Sequence, residues 1–513
     1  MVFSSLYFIF IFLPVVCGVY YLFKLIFPGK IFVRNVFLCL SSLFFYAWGE
    51  PVYIFLMLIS ILCNYFFALG LNGSANVKKS SGFKSDFSEK KASDCKSDFC
   101  PAKKNRILFV VSVIFNLGFL VFFKYSGFFA ANLNAVFKLN LTVPKFALPI
   151  GISFYTFQAL SYVIDVYRGK VPPQKNLLNL ALYISLFPQL IAGPIVRYVE
   201  IDRELDGRKE SFEGFTAGLC DFMTGLGAKV LLANNLAVVV DGIYSNFEST
   251  GAGILWLTAL CYALQIYFDF SGYSRMAIGL GKMFGFSFPQ NFNYPYCASS
   301  ITDFWRRWHI TLSQWFRDYV YIPLGGNRVV PVRHIFNILI TWLLTGFWHG
   351  ASWNFLLWGI YYGVLLVFEK YITLPLIKKT ELHKVLNCCL RILLRICSLL
   401  LILFGWILFR VESLNDLAFV FKKMFTFGIE KASGGGSSGF IEYIVSHADV
   451  CSKIFFVIPA IVFSLPVYKW IFGRAEESKV LLTLKYIFAF VIFALCLCFL
   501  VAATYNPFIY FRF

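Results

Sequence analysis

Charge is scarce in this sequence. Only 14% of its 513 residues are Asp, Glu, Lys or Arg, while 59% are hydrophobic and 20% aromatic; a soluble domain carries about 25% charged residues. That deficit excludes an ordinary soluble protein. Acids are scarcest, 27 against 46 Lys and Arg. The net charge of +19 still does not point to nucleic acid, because the basic residues lie mainly between apolar runs, where anionic lipid headgroups account for them. No nucleotide-binding motif and no internal repeat are found. The fourteen cysteines sit mostly inside apolar runs, where Cys acts as a small hydrophobe. Only Cys95 and Cys100 share a polar loop, and their spacing is not that of a zinc knuckle, so no metal site is expected. The first apolar run, near residues 5–27, lacks a basic leader and a small-residue cleavage site, and is expected to be a retained span.

What the chain has in abundance is apolar runs. Candidate spans fall near residues 5–27, 31–48, 51–72, 107–130, 146–164, 177–196, 212–240, 253–270, 335–348, 351–368, 388–409, 453–472 and 484–503. Several are too short or too broken for an ordinary crossing. The expected fold is therefore an all-α polytopic membrane bundle over residues 1–513, with about eleven transmembrane helices and one or two re-entrant or interfacial segments. The first connection carries Lys30 and Arg34, the second Glu50 and Pro51, and the third, Gly73–Arg106, nine Lys or Arg against four acids. This alternation places the first and third connections inside and the N-terminus outside. The loop at 73–106 repeats KSDF at Lys84–Phe87 and Lys96–Phe99 and reads as a flexible cytoplasmic segment, docking of a partner being the other use for it. Residues 430–440, with GGGSSG at Gly434–Gly439, read as a linker.

Two of the five histidines stand in segments that can carry chemistry. His309 lies in DFWRRWHITLSQWFRDYVYIPLGGNR, where Phe304, Trp305, Trp308, Leu312, Trp315 and Phe316 form an aromatic face at helical spacing and Arg306, Arg307, Arg317 and Asp318 supply charge at its edges. Such a helix lies at the membrane interface as an anchor, or dips into the bundle. His349 lies within an apolar run from Ile335 to Phe368. As one straight helix that run would be about 51 Å long, far beyond a hydrocarbon core of about 30 Å. A break is predicted at Gly346–Gly350, setting the imidazole at membrane depth, where an ionisable group is costly and is by default functional; a structural histidine bonded to a neighbouring helix is the alternative. A buried neutral imidazole can accept a proton from a hydroxyl as it attacks a thioester or ester. No GxSxG elbow appears and no cysteine has a histidine close in sequence, so a covalent intermediate has no support.

Longer words then carry a resemblance: LPIGISFYTFQALSYVIDVYRG (Leu148–Gly169), FPQLIAGPIVRY (Phe187–Tyr198), QIYFDFSGYSRMAIGLGKMFGFSFPQNFNYPY (Gln265–Tyr296), the two histidine segments and the closing NPFIYFRF. They are dense over residues 148–369, the expected core region. With them the chain resembles the membrane-bound O-acyltransferases, in particular the bacterial alginate O-acetyltransferase (AlgI) type. The resemblance implies a helical bundle around a central tunnel in the bacterial plasma (inner) membrane. It implies that His349, in Trp348-His349-Gly350, is the essential histidine, and that His309, in RRWH, is the second. Arg306 and Arg307 then suit an acidic donor such as coenzyme A, or equally lipid headgroups. Arg317, Asp318 and Asp269, the last with Ser271 and Tyr273, are candidates to line the tunnel, and Asn354 to orient the His349 ring. No bound cofactor is implied. The donor is expected to be acetyl-CoA or another acyl thioester, and the acceptor a hydroxyl of an exported polysaccharide or envelope glycan, reached with a periplasmic or surface acyltransferase partner. Two other readings remain open: a D-alanyl transferase of teichoic acid (DltB) type, and a membrane transporter.

Overall fold

The structure is a computed structural model that describes residues 1–71, 103–142, 146–245, 247–379, 384–426, 452–502 and 507. Most of the 73–106 loop and the 430–440 linker lie outside the described residues. In chain order the main helices are α1 (Phe8–Ile26), α2 (Ile31–Gly49), α3 (Tyr53–Leu71), α4 (Asn105–Phe137), α5 (Ile152–Tyr167), α6 (Leu177–Ser185), α7 (Tyr198–Gly207), α8 (Phe212–Tyr244), α9 (Ala252–Met283), α10 (Ile301–Arg307), α11 (Ile310–Phe316), α12 (Pro331–His349), α13 (Trp353–Ile377), α14 (Asn387–Arg410), α15 (Leu414–Phe425), α16 (Ser452–Ser464), α17 (Val467–Glu477) and α18 (Lys479–Ala502). Among the described residues there is no strand. Nine of these helices are long and apolar enough to cross a membrane, and α16 with α17, bent by 50°, makes a tenth if the two are one span. The protein is thus an all-α, multi-pass membrane protein.

Three of the thirteen apolar runs, near 146–164, 177–196 and 335–348, are not among these spans, for physical reasons. α5 is only 16 residues long, and Ile152–Val166 are buried on every side, including Ser153, Thr156, Gln158, Ser161 and Asp165, so it is an inner helix with no lipid face. The 177–196 run ends its helix at Ser185, just before Pro188. α12 carries His334, Asn337, Thr341, Thr345 and His349, all buried and three or four residues apart, so one face is polar along its whole length.

Around these inner elements, close helix contacts rest on glycine. α8 and α9 meet through Gly218 with Gly279 and Gly225 with Gly272; a Cβ at any of the four would lie 2.4–2.7 Å from a backbone oxygen of the other helix. Pairs seven residues apart on both helices keep one seam in register, the small-residue packing that lets membrane helices approach where no hydrophobic force drives them together. α12 and α13 meet the same way at Gly346 and Gly359. The predicted break falls as expected, with α12 ending at His349 and α13 starting at Trp353. Gly350 has room for no side chain, since its Cβ would lie 2.2 Å from the Phe355 ring.

Candidate active site

His309 does not lie within one continuous helix, as the aromatic spacing predicts. α10 ends at Arg307, Trp308 is extended, and His309 takes a left-handed conformation (φ 43°, ψ 55°) before α11 begins. A non-glycine residue in that region costs on the order of 1–3 kcal/mol and persists only where surroundings enforce it. Here Asn291 does so. Its Oδ1 lies 3.0 Å from His309 Nδ1 and accepts from Thr311 N–H at 3.3 Å and Thr311 Oγ1 at 2.9 Å, while its amide donates to Ser274 Oγ at 3.1 Å. An atom that receives a backbone N–H is the amide oxygen. It can only accept, so Nδ1 carries the proton and Nε2 keeps its lone pair. Phe270 packs edge-on against the ring at 4.6 Å.

His349 is held differently, by aromatic rings. Trp348, Trp358 and Phe409 stand edge-to-face around its imidazole at 4.9, 5.1 and 5.2 Å, and Nδ1 is fully buried without a hydrogen-bond partner among the described residues. His309 lies 6.2 Å from the Trp348 ring, centroid to centroid. Two cavities meet at His349. The larger, about 360 Å³, is lined by both histidines, by Trp305, Trp308 and Trp342, and by Thr341 and Thr345 of the polar face of α12; His334 lies along it. From His334 to His349 is fifteen helical rises, about 22 Å. Arg306, Lys370 and Arg317, the last paired with Asp318, also line it, and no Asp or Glu among the described residues does, so it favours an anion. The smaller cavity, about 60 Å³, lies against His349 with Lys124 and the Leu148–Phe154 segment.

Of the sequence-predicted residues, His349, His309, Arg306 and Arg317 are brought together at the larger cavity. Four are not. Arg307 is turned to Asp303, one helical turn away, at 2.9 Å. Asp318 bridges Arg197 at 2.7 Å and Arg317 at 2.7 Å, tying α11 to the start of α7; burial pushes its carboxyl up, but the Arg317 bond and the charges of Arg317 and Arg197 hold it below the usual aspartate value. Asp269 is buried in an ion pair with Lys229 at 2.5 Å. Asn354 bonds Ser352 and the Phe409 carbonyl rather than the His349 ring. In each case a nearer partner satisfies the polar group. Sequence reasoning missed the polar face of α12, legible as His334, Asn337, Thr341, Thr345 and His349, and it missed Lys124, the single charge between Ile107 and Phe137.

A multi-pass helical bundle that encloses two imidazoles at the end of a basic-walled cavity has the parts of a membrane transferase: a base, a route for an anionic donor, and a dry reaction chamber. Residues 40–409 match the model of the MBOAT, membrane-bound O-acyltransferase family, and the chain belongs to that family. It is an acyltransferase, a multi-pass enzyme of the bacterial inner membrane. It is 39% identical over 432 residues to a probable alginate O-acetylase AlgI of Azotobacter vinelandii, covering 83% of this chain and 79% of that one. To a peptidoglycan O-acetyltransferase of Helicobacter pylori it is 34% identical over 83% of this chain and 80% of the other. A teichoic acid D-alanyltransferase of Bacillus subtilis is 31% identical over 43% of this chain and 60% of its own length.

Proposed function

We propose that this enzyme moves an acetyl group from a cytoplasmic thioester, acetyl-CoA or a similar donor, to hydroxyls of an exported polysaccharide or other envelope glycan. The observation that carries this reading is the place of His349, which lines both cavities and ends the one with basic walls. The phosphate-bearing end of the donor rests near Arg306, Arg317 and Lys370, and its acyl end reaches the tryptophan-lined end beside His349. The acceptor hydroxyl comes from the other side. His349 takes its proton as the oxygen attacks the acyl carbon; the C–S bond then breaks, its electron pair leaves with sulfur, and the proton passes to the thiolate. His309, its Nδ1 tied to Asn291, presents a lone pair toward the same chamber in support.

The long match to O-acetylases favours acetyl over D-alanyl transfer, because the teichoic acid enzyme matches less than half of this chain. A separate periplasmic or surface acyltransferase completes delivery to the polymer. The test is base-released acetate from the exported polymer in wild type and in His349→Ala and His309→Ala strains, with membrane levels of each variant measured. Loss of a base is worth about 10²–10⁴ in rate, so the His349 strain should release no measurable acetate. Unchanged acetate at normal protein level removes acetylation of that polymer by this route, and release of D-alanine in its place supports the teichoic acid reading.

A further inference from the structure

Lysines sit at three π-helical turns inside spans of this protein, a geometry frequent at functional sites; Lys370, in the turn Glu369–Thr373 of α13, is exposed and lines the larger cavity. Lys229, in the turn Ala228–Ala233 of α8, is neutralised by Asp269 at 2.5 Å and donates to the Pro507 carbonyl. Lys124, in the turn Val121–Tyr125 of α4, is in none of the ion pairs among the described residues. It lies nineteen residues, about 28 Å, along α4 from Asn105 and thirteen, about 20 Å, from Phe137, inside the span, where an unpaired charge is costly. Its ammonium donates to the Trp348 carbonyl at 2.6 Å, stands 3.4 Å from Ser153 Oγ, and is 5.8 Å from the centre of the Trp348 ring. It thus reaches the last turn of α12 beside His349, and with His349 it lines the cavity of about 60 Å³. That space has room for several water-sized groups, enough for an acyl oxygen and an acceptor hydroxyl.

We propose that Lys124 is a catalytic residue of the acyl transfer, holding the oxyanion that forms on the acyl carbonyl on the acceptor side of His349. This rests on the reading of the enzyme as an acyl thioester-to-hydroxyl transferase. As the acceptor oxygen bonds to the acyl carbon, the carbonyl π pair moves onto oxygen, the hydroxyl proton goes to His349, and the ammonium of Lys124 bonds the new oxyanion. When the carbonyl reforms, the C–S bond breaks and the proton passes from His349 to the thiolate. A preorganised donor of this kind in a dry site acts on the transition state more than on the bound donor.

The other use for Lys124 is to cap the last carbonyls of α12, and the variants separate the two. Lys124→Gln keeps a donor for the Trp348 carbonyl and loses the charge; Lys124→Met loses both, and Lys124→Arg keeps both. Membrane vesicles from cells making the native polymer are given radiolabelled acetyl-CoA, and label in the polymer is counted against enzyme level and melting temperature. Lys124→Met and Lys124→Gln are expected to lower the maximal rate about 10²–10³-fold, with the half-saturating acetyl-CoA concentration and the melting temperature unchanged and partial recovery in Lys124→Arg. A Gln variant at the wild-type maximal rate overturns the proposal, as does a loss seen only as weaker donor saturation or a lower melting temperature. An inactive His349→Ala beside a fully active Lys124→Met removes the role of Lys124 alone. Wild-type vesicles that incorporate no acetate overturn the functional reading and this proposal with it.

Discussion

The spacing of α12 and α13 sets where His349 stands, and Gly346→Ala tests it directly. A methyl at position 346 would lie 2.3 Å from the Phe355 carbonyl oxygen and 2.9 Å from the Gly359 Cα. Both atoms are backbone, so no side chain can rotate away. Restoring ordinary contact at roughly 3.5 Å requires the helices to part by about 1.2 Å at that level. His349 lies three residues further along α12, its ring held among Trp348, Trp358 and Phe409, so the displacement reaches the imidazole. A misplacement of about 1 Å at a reacting group costs on the order of 10²-fold, and overpacking costs about 1–3 kcal/mol of stability. The assay is transfer of labelled acetate in membrane vesicles, with melting temperature followed by a fluorescent thiol probe in detergent. Gly127→Ala, where an added Cβ meets nothing within 4 Å, is the control expected to match wild type. A Gly346→Ala enzyme of wild-type rate and melting temperature would show that α12 and α13 are not packed backbone to backbone, and would refute the argument that this contact positions the histidine.

Three further outcomes are expected. Arg306→Gln with Lys370→Gln should raise the half-saturating acetyl-CoA concentration about fivefold, each exposed cation being worth about 0.5 kcal/mol, and leave an acetyl-pantetheine donor without phosphates unaffected; equal effects on both donors would remove the phosphate role. Glu210 sits between α7 and α8 with Tyr20 O–H at 2.5 Å and Arg34 at 2.6 Å; burial pushes its carboxyl up, but that bond and the charges of Arg34 and Arg208 hold it below the ordinary value of 4.5. A depressed carboxylate stabilises fully above pH 4.5 and loses that stabilisation as pH falls through its folded value, so the melting-temperature gap to Glu210→Gln should be wide at pH 7 and close as pH drops below 4.5. A gap that is constant with pH contradicts this. Lys229→Met should destabilise by removing a buried counter-charge of Asp269, and the double variant Lys229→Met with Asp269→Leu should recover part of the loss; additive losses in chemical denaturation would argue against direct coupling.

The membrane class was legible because composition alone excludes a soluble core, and most spans because an apolar run of sufficient length has little choice but to cross. The break at His349 was legible from arithmetic, since Ile335–Phe368 is too long to remain one helix. Less legible were α5 and α12, which lie in apolar runs that suggested crossings although one is enclosed by protein and the other lines a cavity. Hydropathy reports what a segment tolerates, not which neighbours cover it. The same limit explains the site residues. Arg307, Asp318 and Asn354 stood near histidines in sequence and Asp269 within an apolar segment, but Asp303, Arg197, Ser352 and Lys229 claimed them.

By itself, then, the sequence determined that this chain folds in a bilayer as helices and places two histidines where ionisable groups are expensive. Only the tertiary structure decided which polar groups face one another: it bent the chain at His309 over Asn291, brought His349 from the end of α12 to the junction of two cavities, and carried Lys124 from a helix more than two hundred residues away to its side. Local patterns encode periodicity and length, whereas partners distant in sequence are set by how the whole bundle packs.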